Sequence, residues 1–171
     1  MMQNPKYGID LLSIIIHLAS KKIMSTYSQL NYHIVFCTFK RRPVMAKENR
    51  ELLYTYMRSI ILNKKAIPLK INGIEDHLHI LVSGGPNLFI PDLVKEIKLG
   101  SNSFIQSESL FENFEGWQEG YGVFSFAHRD RSNLINYVEK QEEHHRKTSS
   151  KEEYKELIEK HGILIDERFF A

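Results

Sequence analysis

The histidines most suited to holding a metal ion are His77 and His79, which are separated by one residue. They adjoin an apolar stretch that predicts a strand, and side chains at i and i+2 of a strand point to the same face. Leu78 is therefore expected to point into the core while both imidazoles emerge together. Imidazole is a common metal ligand, so the pair suits half of a metal site. Two histidines without a ligand would have the same spacing.

A second pair of side chains, Tyr137 and Gln141, lies four residues apart in a predicted helix. Residues at i and i+4 share one helical face, with a rotational offset of about 40°. Gln141 can offer an amide oxygen to a metal, and Tyr137 can offer a phenolic oxygen to phosphorus. The alternative is that Tyr137 packs in the core while Gln141 is solvated, and the spacing leaves both interpretations open.

Positive charges gather at the ends of predicted elements and on helix faces. Such groups can follow a phosphate backbone, and Trp117 or Tyr121 can stack on unpaired bases. With 23 Lys and Arg residues against 21 Asp and Glu, the net charge is only +2, so composition permits DNA binding without requiring it. The candidate basic contacts are Lys40, Arg41, Arg42, Lys95, Lys98, Arg129 and Arg146.

The elements that position these side chains follow from hydrophobic periodicity and from glycine and proline breaks. Strands are predicted over residues 30–39, 68–74, 78–82 and 116–126, and helices over 48–63, 91–105, 130–146 and 152–160, the last ending at Gly162. Gly100 is expected to weaken the second helix. The first six elements give the order βαββαβ. This order predicts an α+β, ferredoxin-like antiparallel sheet with helices on its faces and additional C-terminal helices.

The length of 171 residues and the 42% hydrophobic content suit one globular domain, placed at residues 24–171. Residues 1–23 are interpreted as a leader of uncertain role, because the apolar run within them is too short and interrupted to span a membrane. The single cysteine, Cys37, excludes an internal disulfide and a cysteine zinc cluster, and we interpret it as a small buried hydrophobe. A cytoplasmic location is expected.

Taken together, these motifs resemble one family, the single-tyrosine HUH transposases of the smallest bacterial insertion sequences. The pair His77 and His79 is similar to the His-hydrophobic-His motif of HUH nucleases. The likeness covers about residues 24–170. The matching segments are Thr26–Phe36, Glu75–His79, Gly116–Gly122, Tyr137–Arg146 and Asp166–Phe169.

The resemblance implies that His77, His79 and Gln141 bind the metal and that Tyr137 is the nucleophile. It implies Mg²⁺ or Mn²⁺ as cofactor. Two imidazoles suit Mn²⁺ better, because Mg²⁺ favours oxygen ligands, so we expect Mn²⁺ to support the stronger activity. The implied reaction cleaves and rejoins single-stranded DNA through a 5′-phosphotyrosine intermediate.

The resemblance also implies partners. Single-stranded DNA with hairpin ends is the expected substrate, and Lys95, Lys98, Ser101 and Ser103 on the second helix are candidate phosphate contacts. The family forms homodimers in which the tyrosine helix of one subunit can complete the site of the other, with residues 127–129 as the hinge. The sequence leaves open whether the site forms within one chain or between two.

Three other functions fit parts of the pattern. A domesticated HUH nickase acting on palindromic repeats, or a replication or relaxase-type nickase, would keep the site without transposition. A non-catalytic nucleic-acid-binding module with the same element order would stack bases on sheet aromatics, but residues 78–82 contain none. A structural or regulatory protein would leave the coincidence of His77, His79, Tyr137 and Gln141 unexplained.

Overall fold

Nine regular elements make up the part of the chain that the computed structural model describes, residues 27–165. The predicted leader, residues 1–23, and the motif at residues 166–169 lie outside the described residues. The strands are β1 (Leu30–Cys37), β2 (Ile67–Gly73), β3 (His77–Gly84) and β4 (Gly122–Ser125). The helices are α1 (Lys47–Asn63), α2 (Ile90–Ser107), α3 (Arg131–Glu139), α4 (Gln141–His144) and α5 (Ser150–Lys160).

The four strands form one antiparallel sheet in the order β2-β3-β1-β4. The predicted βαββαβ order and α+β class are confirmed, and six of the eight predicted elements end within two residues of the observed bounds. Strands β1 and β3 lie in the centre and pair along eight residues, with Val35 opposite His79. The histidine motif therefore sits on a central strand.

Helices cover both faces of the sheet. One face packs against α1 and α2 in the main core, to which β3 contributes Leu78, Ile80 and Val82. The other face carries a smaller cluster of Val35, Phe124 and Leu157, the last of which belongs to α5. Since side chains alternate along a strand, His77 and His79 point to the second face.

The predicted strand over residues 116–126 is wrong in its first half. Only Gly122–Ser125 forms β4, while Trp117 makes an isolated bridge with Thr38. Gly116 and Gly120 have φ values of 131° and 80°, outside the extended region of β-strands, so they bend the chain away from the sheet.

The predicted helix over residues 130–146 is interrupted at Lys140, whose φ and ψ are −92° and 21°. The side-chain amide of Asn72 on β2 donates hydrogen bonds to the carbonyl oxygens of Val138 (2.8 Å) and Glu139 (3.1 Å). Asn72 thus bonds to two backbone carbonyl oxygens that would accept hydrogen bonds from the next turn if the helix continued. Helix α4 begins immediately afterwards at Gln141.

Helix α5 has defined ends. Ser149 and Glu152 form a capping box at its start, in which each side chain accepts a hydrogen bond from the other residue's backbone N–H. Gly162, with a φ of 68°, follows its end as predicted. These ends fix which α5 side chains face the sheet.

Gly100 does not interrupt α2. A Cβ atom there would lie 2.8 Å from Cδ1 of Ile60, so the glycine allows α2 to approach α1 closely. Among residues 27–165, no helix is long and apolar enough to cross a membrane.

Candidate active site

The two histidines of β3 point to the same face, as predicted, but they are not at the surface. Their exposed fractions are 2% for His77 and 0% for His79. Their Nε2 atoms lie 2.9 Å apart. The C-terminal helices bury the pair, a placement that strand alternation alone does not reveal.

Tyr137 and Gln141 both reach this site despite the break between α3 and α4. Gln141 is fully buried, and its Oε1 lies 3.3 Å from Nε2 of His77. The ring centroid of Tyr137 lies 6.0 Å from that of His79. The alternative in which Gln141 is solvated is therefore wrong. All four residues of the predicted constellation lie together within one chain.

Glu153 on α5 contributes a carboxylate that sequence reasoning missed. Its Oε2 lies 3.2 Å from Nε2 of both His77 and His79. Its Oε1 accepts hydrogen bonds from the Tyr137 hydroxyl and from Nε2 of Gln141, the latter at 2.9 Å. The available clue was a charged residue four positions before Leu157, on the apolar face of an amphipathic helix.

His145 is the second functional candidate that sequence reasoning missed. Its Nε2 lies 3.0 Å from Oε2 of Glu153 and 3.1 Å from Oε1 of Gln141. Tyr137, Gln141 and His145 recur every fourth residue, a spacing that places side chains along one side of a helix. Extending the predicted Tyr137–Gln141 pair by one more step would have found it.

Each imidazole at the site is oriented through its other ring nitrogen. Nδ1 of His77 lies 2.7 Å from Oδ1 of Asp76. Nδ1 of His79 lies 2.9 Å from Nε2 of His33, a buried residue of β1. Nδ1 of His145 lies 2.7 Å from the carbonyl oxygen of Thr148. Such outer partners fix ring orientation in metal sites.

Burial and charge separate the pKa values of these groups. Burial opposes the charged form of His77, but the hydrogen bonds that the ring donates to the carboxylates of Asp76 and Glu153 outweigh this effect and raise the pKa of His77 to about 9. Burial lowers the pKa of His79 to about 4 and that of His33 to about 3. Of these three histidines, only His77 is therefore charged at neutral pH.

The two acidic groups of the site shift in opposite directions. Burial would raise the pKa of Glu153, but hydrogen bonds from His145, His77 and His79 hold it well below its usual range. Burial and the Glu153 charge raise the pKa of Tyr137. Glu153 is therefore ionised at neutral pH, while the Tyr137 hydroxyl keeps its proton.

The predicted metal ligands fit a divalent cation. Around an ion bound at about 2.1 Å, neighbouring ligand atoms lie about 3.0 to 3.4 Å apart. The Nε2 atoms of His77 and His79 are 2.9 Å apart, and Oε1 of Gln141 is 3.3 Å from the first of them. Nitrogen and amide oxygen atoms therefore converge at the spacing that ligands require.

The predicted DNA contacts divide into exposed and internally bonded groups. Lys40, Lys95, Ser103, Arg129 and Arg146 are exposed. Arg42 pairs with Glu115, Arg41 lies over the ring of Tyr154, and Lys98 donates to the carbonyl oxygens of Gln118 and Gly120. Within the exposed group, Lys40 lies over the ring of Phe39, Ser103 donates to the carbonyl oxygen of Leu99, and Arg129 lies 3.9 Å from Asp130.

Two residues proposed for DNA contacts are held by internal contacts instead. Ser101 is fully buried, and its hydroxyl donates to the carbonyl of Ile97 at 2.6 Å. The indole of Trp117 donates to Ser101 Oγ at 2.9 Å and packs edge-to-face on Phe36. Ser101 is therefore not at the surface for a phosphate, and Trp117 is held by the core. Cys37, interpreted from the sequence as a buried residue, is only half-buried, and burial raises the pKa of its thiol.

Residues 26–141 match the family model described as "Transposase IS200 like". The chain is similar to the ISDra2 transposase TnpA of Deinococcus radiodurans, with 29% identity over 133 residues that cover 75% of this chain and 95% of the relative. It is also similar to the transposase for insertion sequence element IS200 of Salmonella typhimurium. There the identity is 24% over 127 residues, covering 71% of this chain and 82% of the relative.

Two solved structures share the fold. One is a crystal structure described as a transposase from Deinococcus radiodurans, with a TM-score of 0.55 and 23% identity over 71% of this chain and 97% of that chain. The other is a REP-associated tyrosine transposase bound to a REP hairpin. Its TM-score is 0.54 and its identity 13%, over 73% of this chain and 74% of that chain.

Proposed function

This chain belongs to the IS200-like family of single-tyrosine HUH transposases, and from that premise we propose that it cleaves and rejoins single-stranded DNA through Tyr137. The observation that carries the proposal is that the Tyr137 hydroxyl donates to Glu153, whose carboxylate also contacts His77, His79 and Gln141 of the same chain. A hydrolytic nuclease would not need that tyrosine.

Tyr137 acts as the nucleophile. Its hydroxyl donates a hydrogen bond to Oε1 of Glu153, so this oxygen is placed to accept the phenolic proton during attack. The tyrosine oxygen forms a bond to the 5′-phosphorus while the bond from phosphorus to the 3′-oxygen breaks. The 3′-oxygen takes up a proton from solvent and leaves as a hydroxyl, which balances the proton that the phenol gave to Glu153. The new ester conserves the bond energy, so another 3′-hydroxyl can reverse the step and join two strands without ATP.

His77, His79 and Gln141 would hold the divalent cation, Mg²⁺ or Mn²⁺. A cation bound there supplies positive charge beside the phosphate oxygens, where negative charge increases in the transition state. Asp76 and His33 hold the two imidazole rings in place through hydrogen bonds to the distal nitrogens. Both rings are buried, so the protein shields them from bulk water.

The substrate we propose is single-stranded DNA with hairpins at the element ends. The relative bound to a REP hairpin supports a folded single strand as the kind of ligand for this fold. Exposed side chains on three different segments, Lys40, Lys95 and Arg146, are the proposed phosphate contacts. Such contacts fix the position of DNA without reading its sequence.

The test uses the purified chain, labelled single-stranded hairpin oligonucleotides from the flanks of its own gene, and Mn²⁺. We expect a covalent protein–DNA adduct that survives denaturation. It should be absent with EDTA and in Tyr137→Phe, which loses only the attacking oxygen. Tyr27→Phe is the matched control, because Tyr27 is 92% exposed and should leave adduct formation unchanged.

A second arm of the same experiment adds an acceptor oligonucleotide with a free 3′-hydroxyl. Strand joining would support transposition, whereas an adduct without joining would favour a nickase that acts on palindromic repeats. Adduct formation by Tyr137→Phe would contradict the assignment of the nucleophile. Hairpin binding without an adduct in the unmutated protein would contradict the catalytic proposal and favour a binding module.

A further inference from the structure

Four side-chain atoms converge at the centre of the site, and two of them belong to residues that were not predicted from the sequence as metal ligands. They are one ligand atom each from His77, His79, His145 and Glu153, all within 4.8 Å of one another. The atom pairs that include Oε2 of Glu153 are 3.2, 3.2 and 3.0 Å apart. These are the separations of neighbouring ligands around one ion bound at about 2.1 Å.

The hydrogen positions on the imidazole rings of His77 and His145 also support a metal ion at this place. A carboxylate and a backbone carbonyl can only accept hydrogen bonds, so Asp76 and Thr148 require a hydrogen on Nδ1 of His77 and His145, respectively. When a metal ion replaces the second proton of His77, Nε2 of both rings presents a lone pair. Both lone pairs would face Oε2 of Glu153, which is also an acceptor, so one cation could bind all three atoms.

The two oxygens of the Glu153 carboxylate face different groups. Oε2 faces the three imidazoles, while Oε1 accepts hydrogen bonds from Tyr137 and Gln141. The exposed fraction of Glu153 is 2%, and a buried carboxylate is costly unless it is paired or bound to a metal. Ligation through one oxygen would leave the other free to hold the nucleophile.

We propose that Glu153 and His145 are metal ligands together with His77, His79 and Gln141, in a site of three imidazoles, one carboxylate and one amide oxygen that prefers Mn²⁺, Co²⁺ or Zn²⁺ to Mg²⁺. This proposal rests on the proposed function, to which it adds two ligands and a metal class. Imidazole suits transition-metal ions, whereas Mg²⁺ favours oxygen ligands and keeps several waters. Gln141 then also orients the carboxylate, since its Nε2 donates to Oε1.

The test measures metal binding rather than activity. The full chain is stripped of metal and titrated with Co²⁺, followed by visible absorption and by calorimetry, with and without a large excess of Mg²⁺. We expect binding that Mg²⁺ does not displace. Glu153→Gln and His145→Gln should each weaken Co²⁺ binding at least about tenfold and change the absorption bands.

Two control variants should keep the Co²⁺ affinity and spectrum of the unmutated protein. Glu159→Gln removes an exposed carboxylate from the same helix, and His128→Gln removes an exposed imidazole. Circular dichroism of each metal-free variant checks its fold. If Glu153→Gln does not fold, pulsed electron paramagnetic resonance of the Mn²⁺-loaded unmutated protein counts the bound imidazole nitrogens, with three expected.

Unchanged affinity and spectra in Glu153→Gln and His145→Gln, or only two bound imidazoles, would overturn the ligand assignment. Ready displacement of Co²⁺ by Mg²⁺ would overturn the metal preference. The two proposals can fail separately. If an adduct forms at Tyr137 but Glu153 has no role in metal binding, only the assignment of Glu153 and His145 as ligands is wrong. If the metal binds through Glu153 but no adduct forms, only the proposed cleavage reaction is wrong.

Discussion

Glu153 carries a negative charge in a place where water does not reach it. Removing an ion from water costs several kcal/mol, and the cost is offset only by well-placed partners. In the metal-free protein the positive partner is His77, whose pKa is raised to about 9, while His79 and His33 stay neutral. A proton thus occupies the position in which we propose a metal ion.

The stability of the metal-free protein should therefore depend on pH. The pKa of His77 rises from 6.5 to about 9 on folding, so its contribution is complete below pH 6.5 and is lost as the pH rises to 9. The pKa of His79 falls from 6.5 to about 4, so stability is also lost as the pH falls from 6.5 to 4. Urea unfolding in EDTA should show maximal stability near pH 6.5.

The matched comparison is His77→Gln. In this variant the free energy of unfolding should no longer fall between pH 6.5 and 9, but it should still fall as the pH is lowered from 6.5 to 4. His128→Gln, which changes an exposed imidazole, should follow the unmutated curve. An unfolding free energy that stays constant from pH 6.5 to 9 in the unmutated protein would contradict the proposed charge on His77.

The residues of the site differ in how far the sequence predicts them. His77 and His79 follow from strand alternation, and Tyr137 and Gln141 follow from helical spacing and family resemblance. Glu153 could not be placed in this way, because its role depends on where α5 docks on the sheet. That docking depends on tertiary contacts of Leu157 with Val35 and Phe124, which no local pattern specifies.

At the scale of the elements, one buried side chain joins three of them. Arg50 on α1 donates to the carbonyl oxygens of Met45 and Gly73, both at 2.9 Å. It also pairs with Glu75 in the β2–β3 turn at 2.8 Å and with Glu142 on α4 at 3.4 Å. The turn before His77 and the helix that begins with Gln141 are thus held to the same guanidinium.

Arg50→Lys should destabilise the protein by about 2 kcal/mol, because an ammonium cannot reproduce the fork of donors and buried acceptors would lose their partners. For a domain of this size that loss corresponds to a fall of about 4 to 8 °C in Tm. Thermal unfolding measures it. Arg58→Lys is the control, since Arg58 is a third exposed and pairs with exposed Glu51; an equal loss in both variants would contradict the role of Arg50.

The elements themselves were largely predictable from periodicity, and the exceptions have local causes. The break at Lys140 depends on hydrogen bonds from Asn72, a residue more than sixty positions away in the sequence. The shortened β4 follows from glycines with positive φ at positions 116 and 120. Glycine content indicated a loop there, but the sequence did not indicate where the strand begins.

At the scale of the whole molecule, one chain assembles the complete set of proposed catalytic groups. Tyr137 lies beside His79 of its own chain, and Glu153 hydrogen-bonds to both. The exchange of tyrosine helices between two subunits, left open by the sequence, is therefore not needed to bring the nucleophile to the histidines. A homodimer remains a prediction.

Mixing two inactive variants distinguishes a site formed within one chain from a site shared between two subunits. Tyr137→Phe keeps its histidines and His79→Ala keeps its tyrosine, so a site shared between subunits would regain about a quarter to a half of the adduct in a mixture. We expect no recovery, because each chain would use its own groups. The measurement is adduct formation after co-refolding the two variants at equal concentration. Recovery would show that the tyrosine helix is exchanged.

The contact between Glu153 on α5 and His79 on β3 spans 74 positions in the sequence. Chains emerge from the ribosome with the N-terminal end first, so a nascent chain exposes β3 well before α5 has been translated. The proposed nucleophile, its hydrogen-bond acceptor and the histidines can come together only in the last stage of synthesis. A translation product that ends before α5 would therefore lack Glu153, the group to which the Tyr137 hydroxyl donates its hydrogen bond.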